Sequence, residues 1–172
     1  MFPQYLRERF ESTAYAYLSD IARLEWAYQE SLIAPDGPRF EPTVLQAVPP
    51  ERCSGIRFEL QPHCRLVRTR YPVIRIWRAN QPRADEREMI DLGSSADLVI
   101  VCREGGSVVF AALSAGEFAL LEALQGGRPL GQALDSALKV DGTLDVGLAL
   151  RRYVSLGALA RVLVTGVGGY KS

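Results

Sequence analysis

The chain has a single histidine, His63, and it stands beside Cys64. A cysteine next to a histidine could make a thiolate–imidazole nucleophile. Neighbours on a strand point to opposite faces, so the two side chains are expected to diverge, as a turn histidine next to a core cysteine. The three cysteines, Cys53, Cys64 and Cys102, have no paired spacing. With one histidine they make no zinc pattern. Asp85 and Glu86 form a carboxylate pair, but in a polar stretch that reads as solvated surface. No Gly-x-x-x-x-Gly-Lys run is present to cradle a phosphate. Gly166-Val-Gly-Gly169 has no helix after it and so offers no helix N-terminus to an anion; it reads as a frayed tail. The expectation is therefore no catalytic residue, no metal ligand and no cofactor in this chain.

A different set of residues points to binding. Eight arginines lie between Arg57 and Arg87, against Glu59, Asp85 and Glu86. Within that stretch Arg65, Arg68, Arg70, Arg75 and Arg78 are interleaved with Tyr71 and Trp77. Arginine, tyrosine and tryptophan are the residues enriched in binding hot spots. Arg65, Arg68, Arg70, Tyr71, Trp77 and Arg78 are the candidate binding residues for a partner or a peptide. The competing reading makes Tyr71 and Trp77 core and pairs or solvates the arginines. Lys139 and Lys171 are the only lysines, and arginine suits bidentate carboxylate contacts better than lysine does. High-GC codon usage would produce the same bias.

These residues need elements to hold them. The spacing of Tyr17, Ile21, Leu24, Tyr28 and Leu32 predicts a helix, with Asp20, Arg23, Ala27 and Glu30 on its wetter side. Pro35-Asp36-Gly37-Pro38 stops it. Alternation at Ile56, Phe58 and Leu60, and again at Cys64 and Leu66, predicts a first hairpin around Gln61-Pro62-His63. Pro72 starts a short helix carrying Val73, Ile74 and Trp77. Residues 80–96 read as a polar loop. Residues 97–102 and 107–113 predict a second hairpin about Gly105-Gly106, apolar enough to be covered on both faces. Ser114 and Glu117 form a capping box for a helix ending at Gly126-Gly127. Leu130, Ala133, Leu134, Ala137 and Leu138 mark a second helix, and Thr143 is placed to cap a third. A strand is expected from Leu159. The fold class is α+β: an N-terminal helix, a central antiparallel sheet of two hairpins, and winged-helix-like helices with a closing strand. The expected division is 1–113 and 114–172.

Bulk composition narrows the classes further. A chain of 172 residues with 48% hydrophobic content can build a core without staples. Twenty basic residues balance twenty acidic ones, a poor footprint for nucleic acid. An odd cysteine count reads as reduced thiols. No signal-peptide pattern opens the chain, and no apolar run approaches the roughly 20 residues needed to span a bilayer. The expected location is the cytoplasm, with neither membrane nor nucleic acid as partner.

Four segments, taken in order, resemble the bacterial HvfC/BufC-type proteins. Tyr17-Leu-Ser-Asp-Ile-Ala-Arg-Leu-Glu-Trp-Ala27 is similar to the signature helix of that family. Arg68-Thr-Arg-Tyr-Pro-Val73 with Ile76-Trp77, then Asp97-Leu-Val-Ile-Val-Cys-Arg103, then the stretch from Ser114 to Gly126, continue the likeness. It covers about residues 5 to 160. Many members carry an additional N-terminal helical domain and are labelled DNA-binding; this sequence matches the short form without it. The short relatives include the partner subunit of methanobactin biosynthesis.

The resemblance implies a non-catalytic subunit of a heteromeric peptide-modifying oxidase. Its partners would be a TIM-barrel multinuclear non-haem iron enzyme, which holds the iron, and a ribosomal precursor peptide whose cysteines are modified. In the methanobactin branch the products are oxazolone and thioamide groups that bind copper. The C-terminal helices and strand resemble winged-helix modules that capture leader peptides by strand addition. Two other classes remain open: a DNA-binding transcriptional regulator, and an independent enzyme using Cys64 with His63. Against the first, Asp145 sits near the start of the third C-terminal helix, and only Arg151 and Arg152 follow.

Overall fold

The computed structural model describes residues 2–11, 13, 15–81, 90–93 and 95–164. The fold is α+β, with two antiparallel sheets of three and two strands among the described residues. Asp85, Glu86 and the glycines from Gly166 to Gly169 lie outside them. The chain divides into two compact units: residues 1–33 with 65–113, and residues 34–64 with 114–172.

In the first unit, helices α1 (Phe2–Phe10) and α2 (Leu18–Ile33) accompany a three-stranded sheet. Its strands are named with those of the other unit in chain order, β1 being Arg57–Leu60 of the second unit. The sheet is β2 (Arg65–Arg68), β3 (Leu98–Glu104) and β4 (Ser107–Ala112), in the order β2-β3-β4. Helices are numbered likewise, α3 (Thr43–Gln46) belonging to the second unit; α4 (Val73–Ala79) follows β2. The turn between β3 and β4 is Gly105-Gly106, with φ of 58° and 85°. Two positive φ angles in a two-residue loop suit the twist of a hairpin and favour glycine at both places. Val99, Ile100, Val101 and Cys102 are all fully buried, so both faces of β3 are covered, as its unbroken apolar run predicts. Leu24, Ala27, Val67, Val73, Ile74, Val99 and Val101 form the core of this unit. Trp77, Phe110 and Tyr28 extend it as an aromatic cluster, with Trp77 edge-on to Phe110 at 4.7 Å.

The face of α2 differs from its expected one. Asp20 and Ala27, assigned to the wet side, are buried at 3% and 5% exposure, while Trp26 is 60% exposed. The helix packs against both α4 and the sheet, so burial extends past one stripe. Asp20 tolerates burial because its carboxylate accepts the Arg70 backbone N–H at 2.6 Å. At the other end of α2, Arg103 Nη1 donates to the carbonyls of Ser31 and Leu32, satisfying groups a helix end leaves open. Pro72, which precedes α4, has no side-chain oxygen to cap it. Asp97 caps it from a distance, accepting the Ile74 N–H at 2.9 Å.

In the second unit, a 3-10 turn (Pro50–Gly55) leads into β1, and the C-terminal run is α5 (Ala115–Gln125), α6 (Leu130–Val140), α7 (Val146–Ser155) and β5 (Leu159–Leu163). The first expected hairpin does not form. β1 pairs antiparallel with β5, and β2 pairs with β3 in the other unit. That pairing is why residues 34–64 group with the C-terminal part, where the division at 113/114 had placed them with the N-terminal one. Gln61 reinforces it. Its amide donates to the carbonyls of Pro38 (2.8 Å) and Leu159 (3.3 Å), and its Oε1 accepts the Gly37 N–H at 2.8 Å. A Cβ on Gly37 would stand 2.7 Å from that same Oε1, so the close approach requires glycine.

The capping box at α5 is present in full: Ser114 Oγ accepts the Glu117 N–H, and Glu117 accepts the Ser114 N–H. Phe118, Leu121 and Leu124 are buried as the period predicts. The cap of α7 is Asp145, accepting the Leu148 N–H at 2.8 Å, and not the expected Thr143. Thr143 is held instead by Asp141, whose Oδ1 accepts both its N–H and its hydroxyl. Those bonds hold the Asp141 carboxyl below the usual range.

Candidate functional site

The candidate arginines fall in the first unit, on β2, on the segment after it and on α4. Arg65 Nε donates to Glu30 Oε2 at 2.7 Å. Trp26 Nε1 donates to the other Glu30 oxygen at 2.9 Å, which fixes the orientation of an exposed indole. The Arg65 hydrogen bond, against the opposing effect of burial and with help from Trp26, holds the Glu30 carboxyl below its ordinary value. Arg70 Nη1 reaches Glu11 Oε1 at 3.4 Å, and its guanidinium lies 6.0 Å from the centre of the Tyr71 ring.

Arg68 and Arg70 line one cleft of about 650 Å³ together with Arg7 and Arg23. Asp20 lies on its wall, 3.5 Å from Arg23. Arg7 and Arg70 share Glu11, at 3.6 and 3.4 Å. Arg7, Arg23, Arg68 and Arg70 thus share one neighbourhood with the carboxylates of Asp20 and Glu11. A second, smaller hollow of about 200 Å³ is lined by Arg65 with Arg23, Trp26 and Glu30. A third, of about 470 Å³, is walled by Phe2, Trp26, Tyr28 and Trp77. The first two share Pro3 and Arg23, and the second and third share Trp26.

The structure thus gathers Arg65, Arg68 and Arg70 along one side of this succession of hollows. Trp77 is half-buried in the aromatic cluster and gives one edge to the third hollow. Tyr71 is half-buried against the core, with its face toward Arg70. Arg78 is exposed in the last turn of α4 and lines none of these three hollows. Sequence reasoning missed Arg7, because α1 was not expected, and set Arg23 aside as solvated. The arginine pairs Arg7/Arg70 and Arg23/Arg68 are too far apart in the chain for spacing alone to connect them.

The cysteine and histidine of the thiol reading are in the second unit. Cys64 Sγ and His63 Nδ1 are 3.9 Å apart, closer than the strand argument predicts. The two residues occupy the turn after β1, where strand alternation does not apply. Cys64 is 2% exposed and His63 4%, and the thiol donates to the Ala158 carbonyl at 3.7 Å. A thiol enclosed in this way is shielded from a substrate.

On α7, Arg152 is joined to both Glu117 oxygens at 2.8 Å. Tyr153 is fully buried and donates its hydroxyl to the Glu117 carbonyl at 2.8 Å. Burial, and secondly the charge of Glu117, push its phenol above the ordinary value. Among the described residues no group of three or more His, Cys, Asp or Glu side chains converges as a metal site, and no helix is long and apolar enough to cross a membrane. No protein-family model, curated protein or solved structure matches the chain.

Proposed function

We propose that this chain is a non-catalytic binding subunit: it holds a multinuclear iron oxidative enzyme and positions a ribosomal precursor peptide for cysteine modification, in the cytoplasm. The observation that carries a binding role is the succession of arginine- and tryptophan-lined hollows on one unit. Arginine and tryptophan concentrate binding energy where a partner excludes water. The identity of the partner enzyme rests on the four ordered segments that resemble the HvfC/BufC-type proteins. Holding the peptide near the iron would raise its effective concentration there without any reacting group from this chain. Oxazolone and thioamide formation, as in methanobactin biosynthesis, is the specific chemistry this reading assigns to the pair.

The test is reconstitution. The iron enzyme and its precursor peptide are incubated with and without this chain, and the peptide mass is followed. Modification only in the presence of both chains is expected. Equal modification by the enzyme alone would overturn the subunit role.

The DNA-binding reading fares worse on this geometry. Asp145 caps α7 with a carboxylate at the end that would meet phosphates, and Arg152 is engaged by Glu117. The thiol-enzyme reading is weakened by the burial of Cys64.

A further inference from the structure

We infer that two adjoining hollows of the first unit take an extended peptide segment, with an arginine side chain in one and an aliphatic side chain two residues away in the other. The inference deepens the binding-subunit reading and rests on it for a peptide being the occupant. The larger hollow, of about 470 Å³, is walled by Phe2, Trp26, Tyr28 and Trp77, with Glu25 among them. Both tryptophans of the chain therefore stand on it. Trp26 is exposed, with its indole N–H donated to Glu30, and Trp77 is braced by Phe110 and Tyr28.

The charge on this aromatic surface is a carboxylate. Glu25 is exposed and makes no hydrogen bond or ion pair with any described residue. Among the described residues no arginine or lysine lines either of the two hollows. Arg23 and Arg65 line the separate hollow that Trp26 shares with Glu30, and each already faces an acid, Arg65 meeting Glu30 at 2.7 Å and Arg23 meeting Asp20 at 3.5 Å. A carboxylate among aromatic rings selects a cation, which the ring faces attract and the acid pairs with. Arginine fits better than lysine, because its planar guanidinium stacks on an indole and offers a carboxylate two parallel N–H donors. Its methylene stem covers apolar wall on the way in.

The aliphatic requirement comes from the adjoining hollow, of about 270 Å³. It is lined by Leu18, Ile21 and Ile76, and it shares Glu25 and Trp77 with the first. Along the chain the larger hollow runs from Ala22 to Gln29 and the smaller from Tyr17 to Glu25. Their midpoints are therefore about 7 Å apart in helix rise. Side chains i and i+2 of an extended peptide project to one side at about that same spacing. One segment can thus fill both hollows at once. Duplex DNA fits less well: it brings phosphates to an unpaired carboxylate and no aliphatic side chain to the second hollow.

The test is a titration of the purified, nitrogen-15-labelled chain followed by nuclear magnetic resonance, in which each of the two tryptophans gives one indole N–H signal. The ligands are the capped peptides Arg-Ser-Leu and Leu-Ser-Arg, one for each chain direction, and the tighter of the two is carried forward. Three comparisons are read: citrulline for arginine, which keeps the shape and removes the charge; serine for leucine; and free arginine. Saturable shifts of both indole signals are expected, with the peptide binding about tenfold tighter than any of the three, and less tightly as salt rises. Glu25→Gln should remove the preference for arginine over citrulline, and Trp26→Leu should weaken the arginine peptide about threefold. The amide spectrum verifies that each variant is folded; if one is not, the ligand comparisons on the unaltered chain decide. Equal binding of the arginine and citrulline peptides overturns the inference, as does a preference that survives in Glu25→Gln. Free arginine binding as tightly as the peptide also overturns it and assigns the hollow to a free amino acid. Failure here while the iron enzyme still co-purifies removes the arginine site alone. Loss of co-purification with peptide binding intact removes the enzyme-partner reading alone.

Discussion

Asp20 is the residue on which the candidate site turns. It is buried, and it holds both the Arg70 backbone and the Arg23 side chain. Asp20→Ala leaves the Arg70 N–H without its acceptor and is expected to destabilise the first unit by about 2 kcal/mol. Both tryptophans of the chain, Trp26 and Trp77, lie in that unit, so urea unfolding followed by tryptophan fluorescence reads it selectively. A midpoint within error of the parent chain would contradict the role given to Asp20 in holding the cleft wall. A second expectation concerns pH. The folded-state value for Glu30 lies below its unfolded value, chiefly through the Arg65 hydrogen bond. The unfolded chain therefore takes up that proton first as pH falls. The stabilising contribution is present above about pH 4.3 and is lost as pH drops through the lower folded value. Glu30→Gln should lower stability at pH 7 and flatten the acid limb of the fluorescence-detected stability curve between about pH 5 and 3, the variant and parent converging at the acid end. An unaltered acid limb would mean the pair contributes nothing measurable, as exposed ion pairs often do. At this scale the sequence pointed to Arg65, Arg68 and Arg70 but not to Arg7 or Arg23. A cluster of guanidinium groups from separate elements has no spacing signature, and Arg23 lies on a face that helical periodicity marks as wet.

Among the elements, α5 was the most legible, because its signals are local. Ser114, Glu117, the apolar period and Gly126-Gly127 all lie within one short stretch. Ser114→Ala removes one half of the capping box and should cost about 1 kcal/mol, read as faster amide exchange through the first turn of α5. The hairpin of β3 and β4 was equally plain from Gly105-Gly106. Replacing either glycine by valine forces a β-branched residue to positive φ and should cost about 1–2 kcal/mol of the first unit's stability, again read by tryptophan fluorescence. The pairing of β1 was not legible. Its alternation marks a half-buried strand but does not say which strand it meets, and the nearest candidate in the sequence, β2, was the wrong one. The true partner, β5, is about a hundred residues away, and the Gln61 side chain that reinforces the pairing gives no local signal of it. The cap of α7 failed for a related reason: Thr143 and Asp145 are both good cap residues, and only the contact of Thr143 with Asp141 decides between them.

For the whole molecule, the expected α+β class is the observed one, and its division into two units is more interleaved than a single boundary allows. Each unit takes its chain in two pieces, because β1 and β5 are paired within one and β2 with β3 within the other. The surface predictions belong at this scale. Arg65→Ala with Arg68→Ala should weaken the complex with a partner enzyme while leaving the core of the first unit intact, since neither side chain is part of it. The most direct measurement is co-purification of this chain with a co-expressed multinuclear iron enzyme of the proposed partner class, followed by iron analysis of the complex and of each separated chain. The account predicts a stoichiometric complex whose iron stays with the enzyme when the two are parted, and whose assembly is weakened by the arginine substitutions. A chain that elutes alone beside a fully loaded enzyme, and binds duplex DNA with steep salt dependence, would contradict it.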